Sequence, residues 1–343
     1  MRGLVTFFLS VFILIGLFFY DVLPEFTVEK EKPDTKVEYI EETLKIPEDA
    51  VSNWVGKDIA AFKKQWGEPE RIDPSSYGYE WYIYGNKSPK GYLQAGVENG
   101  KVVTLFVIGS DVNTSPFTIG ENSNTIIQKF PIESDITIND GEDFFRFELS
   151  EQEVMLRPLI KLKDNVWVQL YFDKFTNQLS SVRYTTSDVL LKQRPYSIVY
   201  RGDLPPLGQL NDDEQNKVDQ SEEQQVFELT NIIRLKYEKN PLKWDEKTSE
   251  VAYLHSKDML DQQYFSHESK DGRTLSDRLQ QKDVKFLQAG ENIAANYTDG
   301  IAAVEGWMNS EGHRNTLLNN EYTHLGVGVD NKYYTQNFLV PME

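Results

Sequence analysis

The chain has 343 residues, a length that predicts about two domains and an additional segment. Hydrophobic residues make up 39 % and charged residues 26 %, which excludes disorder along the whole chain. With 36 Lys and Arg against 54 Asp and Glu, the net charge is −18, and this charge disfavours nucleic acid as a partner. Because cysteine is absent, disulfides, Cys-ligated zinc and cysteine nucleophiles are excluded.

The N-terminal segment, residues 1–23, predicts attachment to a membrane. Arg2 precedes an apolar run, and Asp21 is the first charged residue after it. This order of charges places the rest of the chain outside the cytoplasm. Residues 4–23 reach the roughly 20 positions that span a bilayer, and no A-x-A-like cleavage site follows them. The sequence therefore favours an anchor, with a cleaved signal peptide and secretion as the alternative.

Residues 24–50 are predicted to form an acidic linker. Together with the three residues before them they hold ten acidic residues, four lysines and three prolines. Repulsion between like charges keeps such a segment extended. We expect it to hold the folded part away from a membrane.

Residues 51–200 contain an internal repeat, since several residues recur 64 positions apart. The matched residues are Val55-Gly56 with Ile119-Gly120, Trp66-Gly67 with Phe130-Pro131, and Ile72 with Ile136. Each copy begins with an amphipathic helix and continues with strand-like alternation. The pattern predicts a duplicated helix-plus-antiparallel-sheet domain of the α+β class, without a catalytic constellation.

An aromatic cluster in the first copy is a candidate binding feature of this domain. It comprises Tyr77, Tyr79, Trp81, Tyr82 and Tyr84. These rings could form a face for a partner protein. Aromatic cross-strand pairs on one face of a sheet produce the same pattern, and the sequence favours that interpretation.

Residues 201–222 predict a second linker, because consecutive prolines, a glycine and an acidic polar stretch interrupt the domain pattern. The C-terminal domain is assigned to residues 223–343. Its periodicity predicts an amphipathic helix, a second helix capped by Asp245, and two strands at the end of the chain.

Six motifs of the C-terminal domain stand in a specific order. They are P-L-x-W-D (241–245), A-x-x-H-S-x-D-M (252–259), Y-F-S-H (264–267), G-E-N-I-A (290–294), W-M-N-S-x-G-H-R-x-x-L-L (307–318) and T-x-x-G-V-G (323–328). In this order they resemble the CAP superfamily, also called SCP/TAPS, of cysteine-rich secretory proteins, antigen 5 and pathogenesis-related 1 proteins. The first domain more diffusely resembles the CAP-associated domain of Gram-positive bacteria. The resemblance implies an α-β-α sandwich for residues 223–343.

The resemblance also implies a cleft lined by two His and one or two Glu side chains. Carried over by motif, these are His267 in Y-F-S-H, Glu291 in G-E-N and His313 in G-H-R. The second glutamate of the family lies three residues after the motif tryptophan. That position is Ser310 here and Glu311 follows it, so either residue can take the fourth place in the cleft.

The chemistry of this cluster leaves two interpretations open. Two imidazoles and a carboxylate can hold a divalent cation such as zinc, with water completing the shell, so His267, His313 and Glu291 are the candidate metal ligands. Alternatively, they form a hydrogen-bonded polar cluster in which Glu291 fixes the imidazole tautomers. No cofactor is required by the sequence, and no H-E-x-x-H pairing is present.

Other motif residues are expected to be structural. These are Asn292, Arg314, Trp244 and Trp307. His255, in the middle of a predicted helix beside apolar residues, is interpreted as a packing residue. His324 precedes a predicted strand, and no role is assigned to it.

The functional expectation is a bacterial protein at the extracellular face of the cytoplasmic membrane, or a secreted one. Since CAP relatives include lipid binders, the resemblance favours a non-catalytic binding module over an enzyme. The expected partner is a lipid-like or cell-envelope ligand or a cell-surface protein. The alternative is a metal-dependent peptidase or other hydrolase that acts through His267, Glu291 and His313. No catalytic residue is assigned.

Overall fold

The computed structural model describes residues 46–85, 88–163 and 165–342, and all of these belong to one compact unit. The predicted anchor and most of the first predicted linker lie outside the described residues. Within the described ranges, no helix is long and apolar enough to cross a membrane. The end of that linker packs against the first domain, because Ala50 is buried and Ile46 contacts the core.

The first domain is built around an antiparallel sheet of seven strands. Its helices are α1 (Ile59–Trp66), α2 (Ser123–Lys129), α3 (Glu151–Leu156) and α4 (Ser187–Gln193). Its strands are β1 (Arg71–Pro74), β2 (Glu80–Tyr84), β3 (Leu93–Glu98), β4 (Lys101–Val107), β5 (Asp135–Asp140), β6 (Asp143–Glu148), β7 (Leu159–Lys163), β8 (Val166–Asp173), β9 (Gln178–Thr186) and β10 (Ser197–Arg201). The large sheet has the order β1-β2-β3-β4-β9-β8-β7, and β10-β6-β5 form a separate small sheet.

The predicted duplication is visible where each helix joins the large sheet. The Gly56 N–H donates to the Val102 carbonyl, and the Gly120 N–H donates to the Leu179 carbonyl. Both glycines have a positive φ, +88° and +90°, a conformation that other residues adopt only with strain. The two halves meet in the middle of the sheet, where β4 pairs with β9.

The copies diverge after their first helices. Strands β1 and β2 follow α1 and join the large sheet, whereas β5 and β6 follow α2 and leave it for the small sheet. As a result, the matched residues Ile72 and Ile136 have different surroundings: Ile72 is 45 % exposed and Ile136 is buried.

The aromatic cluster divides between the two faces of the large sheet. Tyr82 and Tyr84 pack with the helices α1 and α2 of the first domain. Tyr77, Tyr79 and Trp81 lie in a core that continues into the C-terminal domain. The rings therefore cover the two faces of the sheet. The C-terminal domain of the same chain packs against Tyr77, Tyr79 and Trp81.

The C-terminal domain is an α-β-α sandwich. Its helices are α5 (Asp212–Lys236), α6 (Glu246–Asp261), α7 (Leu275–Gln281), α8 (Gly300–Met308) and α9 (Glu311–Leu317). Its strands are β11 (Lys243–Trp244), β12 (Phe286–Ala295), β13 (His324–Asp330) and β14 (Tyr333–Pro341), in the order β11-β13-β14-β12. Helix α6 packs on one face of this sheet, and α5 and α8 pack on the other.

The second predicted linker is helical over its second half. Helix α5 begins at Asp212 because the Asn211 side chain accepts from the Glu214 N–H and the Glu214 carboxylate accepts from the Asn211 N–H. Three acidic residues in the first turn favour the same start. Only residues 202–211 therefore connect the last strand of the first domain to α5.

Two glycines of the G-V-G motif allow α6 to lie directly on β13. A Cβ at Gly328 would be 1.8 Å from the Tyr253 nitrogen, and one at Gly326 would be 2.2 Å from the Ser249 nitrogen. The Ser256 hydroxyl donates to the Gly328 carbonyl at 2.9 Å. This close packing holds α6 and the loop that follows it against the sheet.

Candidate functional site

The three motif residues reach the cleft from separate elements. His267 lies in the loop after α6, Glu291 lies on β12, and His313 lies on α9. The sheet therefore places Glu291, while loop and helix packing bring the two histidines to it.

Glu291 is the centre of the cluster. Its Oε1 accepts from His267 Nδ1 at 2.9 Å, and its Oε2 accepts from Arg278 Nη2 at 2.7 Å. The Glu291 side chain is 4 % exposed, whereas the His267 side chain is 56 % exposed. Since an ionised carboxylate only accepts hydrogen bonds, Nδ1 of His267 carries a proton and its Nε2 edge is left for a ligand.

Arg278, which sequence reasoning missed, fixes both Glu291 and the loop that carries His267. Its Nη1 donates to the carbonyls of His267 at 2.9 Å and Arg273 at 3.2 Å, and to the Ser269 hydroxyl at 3.3 Å. The sequence feature that could have indicated this role is the position of Arg278 next to Leu279 on the inward face of α7. An arginine at such a position requires buried partners.

His255 also adjoins Glu291, although the sequence indicates only a packing residue. Its ring is buried, and Nε2 lies 3.1 Å from the Ser266 carbonyl and 3.9 Å from Glu291 Oε1. Burial lowers the pKa of His255, and the Glu291 carboxylate only partly opposes this effect. His255 is therefore a neutral buried ring that supports the loop before His267.

His313 faces His267 across the cleft. The two ring centroids are 6.4 Å apart, and the planes are inclined by 48°. Burial lowers the pKa of His313, and the charge of His267 lowers it further. Asn292 donates to the His313 carbonyl at 3.1 Å, which ties α9 to β12.

Ser310 and Glu311, the two candidates for the fourth cleft position, lie at the start of α9. Ser310 is the N-cap of α9 and lines a cavity between the two domains. Glu311 is exposed on the first turn of the same helix. Across the described part of the chain, neither side chain bonds to His267, Glu291 or His313.

The described residues contain no group of three or more His, Cys, Asp or Glu side chains arranged to hold a metal. Both oxygens of Glu291 are already engaged, one of them by a guanidinium. The set of His267, His313 and Glu291 as metal ligands stays a prediction, and in this arrangement Glu291 is bonded to His267 and Arg278. The two imidazoles remain as the available donors.

The residues expected to be structural make internal contacts. Trp307 is buried and donates to the Ile293 carbonyl at 2.9 Å. Trp244 packs edge-on against Phe227 with ring centroids 5.3 Å apart. His324 lies at the start of β13, with Nδ1 2.9 Å from the Thr323 hydroxyl.

Arg314 links the cleft to the first domain. It directly follows His313, and its Nη2 lies 3.0 Å from Asp173 Oδ2 on β8. Its guanidinium also lies 4.8 Å from the ring centroid of Phe175. Burial opposes ionisation of Asp173, but hydrogen bonds from Tyr237 and Phe175 and the charge of Arg314 hold its pKa below the ordinary value.

Both domains match known family models. Residues 55–196 match the model described as CAP-associated N-terminal, and residues 227–341 match the Cysteine-rich secretory protein family. A Bacillus subtilis (strain 168) protein named "Uncharacterized membrane protein YlbC" is 46 % identical over 322 residues, which cover 93 % of this chain and 92 % of that protein. A second protein of that strain, "Uncharacterized protein YkwD", is 40 % identical over 119 residues, which cover 34 % of this chain and 46 % of that protein.

Two solved structures are similar over most of the chain. The first is an extracellular protein containing a SCP domain from Bacillus anthracis str. Ames, with 46 % identity and a TM-score of 0.81 over 87 % of this chain and 98 % of that chain. The second is a cysteine-rich secretory protein from Staphylococcus aureus subsp. aureus Mu50, with 26 % identity and a TM-score of 0.75 over 85 % of this chain and 93 % of that chain. Both similarities span the two domains together.

Proposed function

Because the chain belongs to the cysteine-rich secretory protein (CAP) family and carries a CAP-associated N-terminal domain, we propose that it is a non-catalytic binding module on the outer side of the cytoplasmic membrane. One relative is named a membrane protein and another is described as an extracellular protein, and both descriptions support this location. In this proposal residues 4–23 anchor the chain, and the acidic segment after them holds the folded part away from the bilayer.

The fixed position of Glu291 is the observation that carries the binding proposal. Glu291 is buried, and its two oxygens accept from His267 and Arg278, so the protein itself fixes the orientation of this carboxylate. Its role is to orient the imidazole. A ligand entering the cleft meets the outer edges of His267 and His313, which form hydrogen bonds with a polar group.

A divalent cation such as zinc would fit this cleft through the two imidazoles. In that case His267 would bind through Nε2, and Glu291 would be the hydrogen-bond partner of its Nδ1–H, the usual carboxylate–histidine–zinc arrangement. Water or an envelope ligand would complete the shell. The protein contributes the two imidazole rings, which it holds in a fixed orientation.

Co-sedimentation of the full chain, in detergent, tests the proposal. The probes are two sets of peptidoglycan sacculi stripped of anionic polymers, one with added zinc and one without. We expect the wild type to sediment with at least one probe and the His267→Gln/His313→Gln variant to stay in solution. His324→Gln is the matched control, since it removes an imidazole outside the cleft.

Two outcomes would overturn the proposal. In the first, the wild type sediments with none of the probes, or the cleft variant sediments as well as the wild type does. In the second, the sacculi release soluble fragments and this release is lost in Glu291→Gln. The latter result would replace a binding module by a hydrolase.

A further inference from the structure

The interface between the two domains contains a second cavity, separate from the His/Glu cleft, which we call the basic cavity. It has a volume of about 370 Å³. Its walls come from the end of α4, the end of β12 and the turn between β13 and β14. Its lining residues include Arg157, Arg194, Asn296, Tyr297, Thr298 and Lys332.

The charge of the basic cavity is opposite to that of the whole chain. Arg157, Arg194 and Lys332 line it, and no Asp or Glu is among its lining residues. The chain as a whole has a net charge of −18. Three cations around one concave space are therefore unlike the rest of this surface, and a concave cationic site concentrates anions.

Arg157 is held in place by the first domain. Its Nη2 donates to Glu153 at 2.8 Å and to the Pro195 carbonyl at 3.0 Å, and its guanidinium lies 4.9 Å from the centroid of the Tyr196 ring. Nε and Nη1 have no hydrogen-bond partner among the described residues and are left for a ligand. A guanidinium in a fixed orientation suits bidentate recognition of an oxyanion.

In the described part of the chain, no carboxylate is bonded directly to either of the other two cations. Among the described residues, neither Arg194 nor Lys332 forms a salt bridge; Arg194 Nε donates to the Leu191 carbonyl at 3.3 Å, and Lys332 Nζ lies 5.8 Å from the centroid of the Tyr77 ring. Burial raises the pKa of the nearby Glu222 to about 8, so this residue is mostly uncharged at neutral pH.

The backbone of Arg194 has a conformation that is uncommon for a long side chain. Arg194 ends α4 with φ +47° and ψ 59°, in the left-handed region. Glycine or asparagine is the usual residue at such a helix end, and a long side chain there carries a conformational cost.

A neighbouring cavity of about 410 Å³ shares Arg157 and Tyr297 with the basic cavity. Leu156, Tyr171 and Ala302 contribute apolar surface to its walls. Glu153 and Glu305 also line it, so it is unsuited to an anion but can take the uncharged part of a molecule.

We propose that the basic cavity binds a phosphate monoester, with the phosphate between Arg157, Arg194 and Lys332 and the organic part in the neighbouring cavity. Arg157, Arg194 and Lys332 carry three positive charges, and Glu153 offsets one of them. The remaining charge of about +2 balances the charge of about −2 on a phosphate monoester at neutral pH. The first domain supplies the two arginines and the C-terminal domain supplies the lysine, so the site exists only when the domains are docked.

Isothermal titration of the full chain in detergent tests this site. The probes are inorganic phosphate, phenyl phosphate and water-soluble dioctanoyl phosphatidic acid. We expect a single saturable site, with phenyl phosphate binding more tightly than inorganic phosphate. Binding of phenyl phosphate alone assigns a free ester as the ligand, and binding of the phosphatidic acid alone assigns a lipid headgroup.

The variants separate loss of binding from loss of folding. Arg194→Gly suits the left-handed backbone, so we expect it to raise the melting temperature while weakening phosphate-ester binding about tenfold. Lys332→Gln should weaken binding by a similar factor. Lys57→Gln, an exposed cation outside the cavity, is the charge-matched control and should leave the affinity unchanged.

Lack of saturable binding for all three probes would overturn the proposal. An equal loss of affinity in Lys57→Gln and Lys332→Gln would do so as well, because it would show a non-specific attraction. These results are independent of the His/Glu cleft, since His267→Gln/His313→Gln leaves the basic cavity intact.

Discussion

Glu291 illustrates how a single residue in this chain depends on partners far from it in sequence. The Glu291 side chain is buried, and it is stabilised by an imidazole on one side and a guanidinium on the other. Of these two partners, Arg278 is the more important for stability, because its own buried guanidinium also donates to the loop carrying His267. Removing either charge leaves the other buried without an opposite charge directly bonded to it.

We expect Arg278→Lys to lower the free energy of unfolding by about 2 kcal/mol or more, because an ammonium group cannot make the same planar set of hydrogen bonds. Urea unfolding of the full chain measures this change. Arg273→Lys is the matched control: its partner Asp271 is exposed, and the change should be within about 0.5 kcal/mol. Equal losses in both variants would contradict the importance assigned to the Arg278–Glu291 pair.

Glu305 is predicted to make stability depend on pH. Burial in the domain interface raises its pKa to about 7, while hydrogen bonds from Ser181 and Ser180 partly oppose this rise. The folded chain therefore keeps a proton that the unfolded chain has lost. The contribution is fully present below the ordinary pKa of 4.5 and is lost as pH rises through the folded-state pKa of about 7.

Glu305→Gln should consequently be close to wild type in stability at pH 4 and more stable than wild type at pH 8, by up to about 3 kcal/mol. Chemical denaturation at a series of pH values gives the slope of the free energy of unfolding against pH. The exposed Glu321→Gln serves as the control and should follow the wild-type slope. If the slopes of Glu305→Gln and the wild type were parallel, folding would not shift the pKa of this carboxyl group, which would contradict the prediction.

At the level of elements, the packing of α6 on β13 decides the position of the loop that carries His267. This contact has almost no space between the helix backbone and the strand. The small residues Ala252 and Ser256 on α6 and the two glycines on β13 make the approach possible. A larger residue on either side would separate helix and sheet and displace the loop.

We expect Gly328→Ala to destabilise the chain by about 3 kcal/mol, because the new methyl group would overlap the α6 backbone. Gly312→Ala is the comparison, since a Cβ at Gly312 meets nothing within 4 Å and the position is helical. That variant should be neutral or more stable by about 0.5 kcal/mol. Thermal unfolding of both variants checks the difference, and equal melting temperatures would contradict it.

At the level of the whole molecule, the two domains share one core and behave as one body. Arg183 on β9 and Asp299 before α8 form a buried ion pair at 2.9 Å across their interface. Arg71 and Glu228 form a second pair, and the Tyr77 hydroxyl donates to the Thr298 carbonyl at 2.7 Å. The domains therefore have a fixed relative position, which the basic cavity requires.

Arg183→Met should lower the free energy of unfolding by about 3–5 kcal/mol, because it leaves the charge of Asp299 buried and unpaired. Adding Asp299→Asn should restore part of this loss, since the amide oxygen still caps α8. Urea denaturation of the single and double variants measures the coupling. Lys129→Met, which breaks an exposed pair with Glu121, is the control and should change stability little.

A fragment of residues 51–200 is expected to associate with itself. It would expose the sheet face of Tyr79, Trp81 and Phe106, which the C-terminal domain covers in the full chain. Sedimentation velocity and binding of a hydrophobic dye measure this exposure. A monomeric fragment that does not bind the dye would contradict the prediction, because the uncovered sheet face would then be stable in contact with solvent.

The sequence alone determined the family and the α+β class, and it identified the motif residues that we propose for the cleft. These features are local: glycines at sharp turns, helix caps such as Asp245, periodic apolar residues, and six motifs in a fixed order. The helical start of α5 was also encoded locally, by Asn211 and Glu214, although the acidic composition of that stretch favoured a linker.

The tertiary structure decided which residues complete each site. Arg278 and His255 reach Glu291 only because α6, α7 and β12 pack together, and no spacing along the chain encodes that contact. In the same way, Arg157, Arg194 and Lys332 are brought together only by the docking of two domains. Local propensity and patterning act within a few residues, whereas a shared buried surface joins groups more than a hundred positions apart, and this is why the sites required the folded chain.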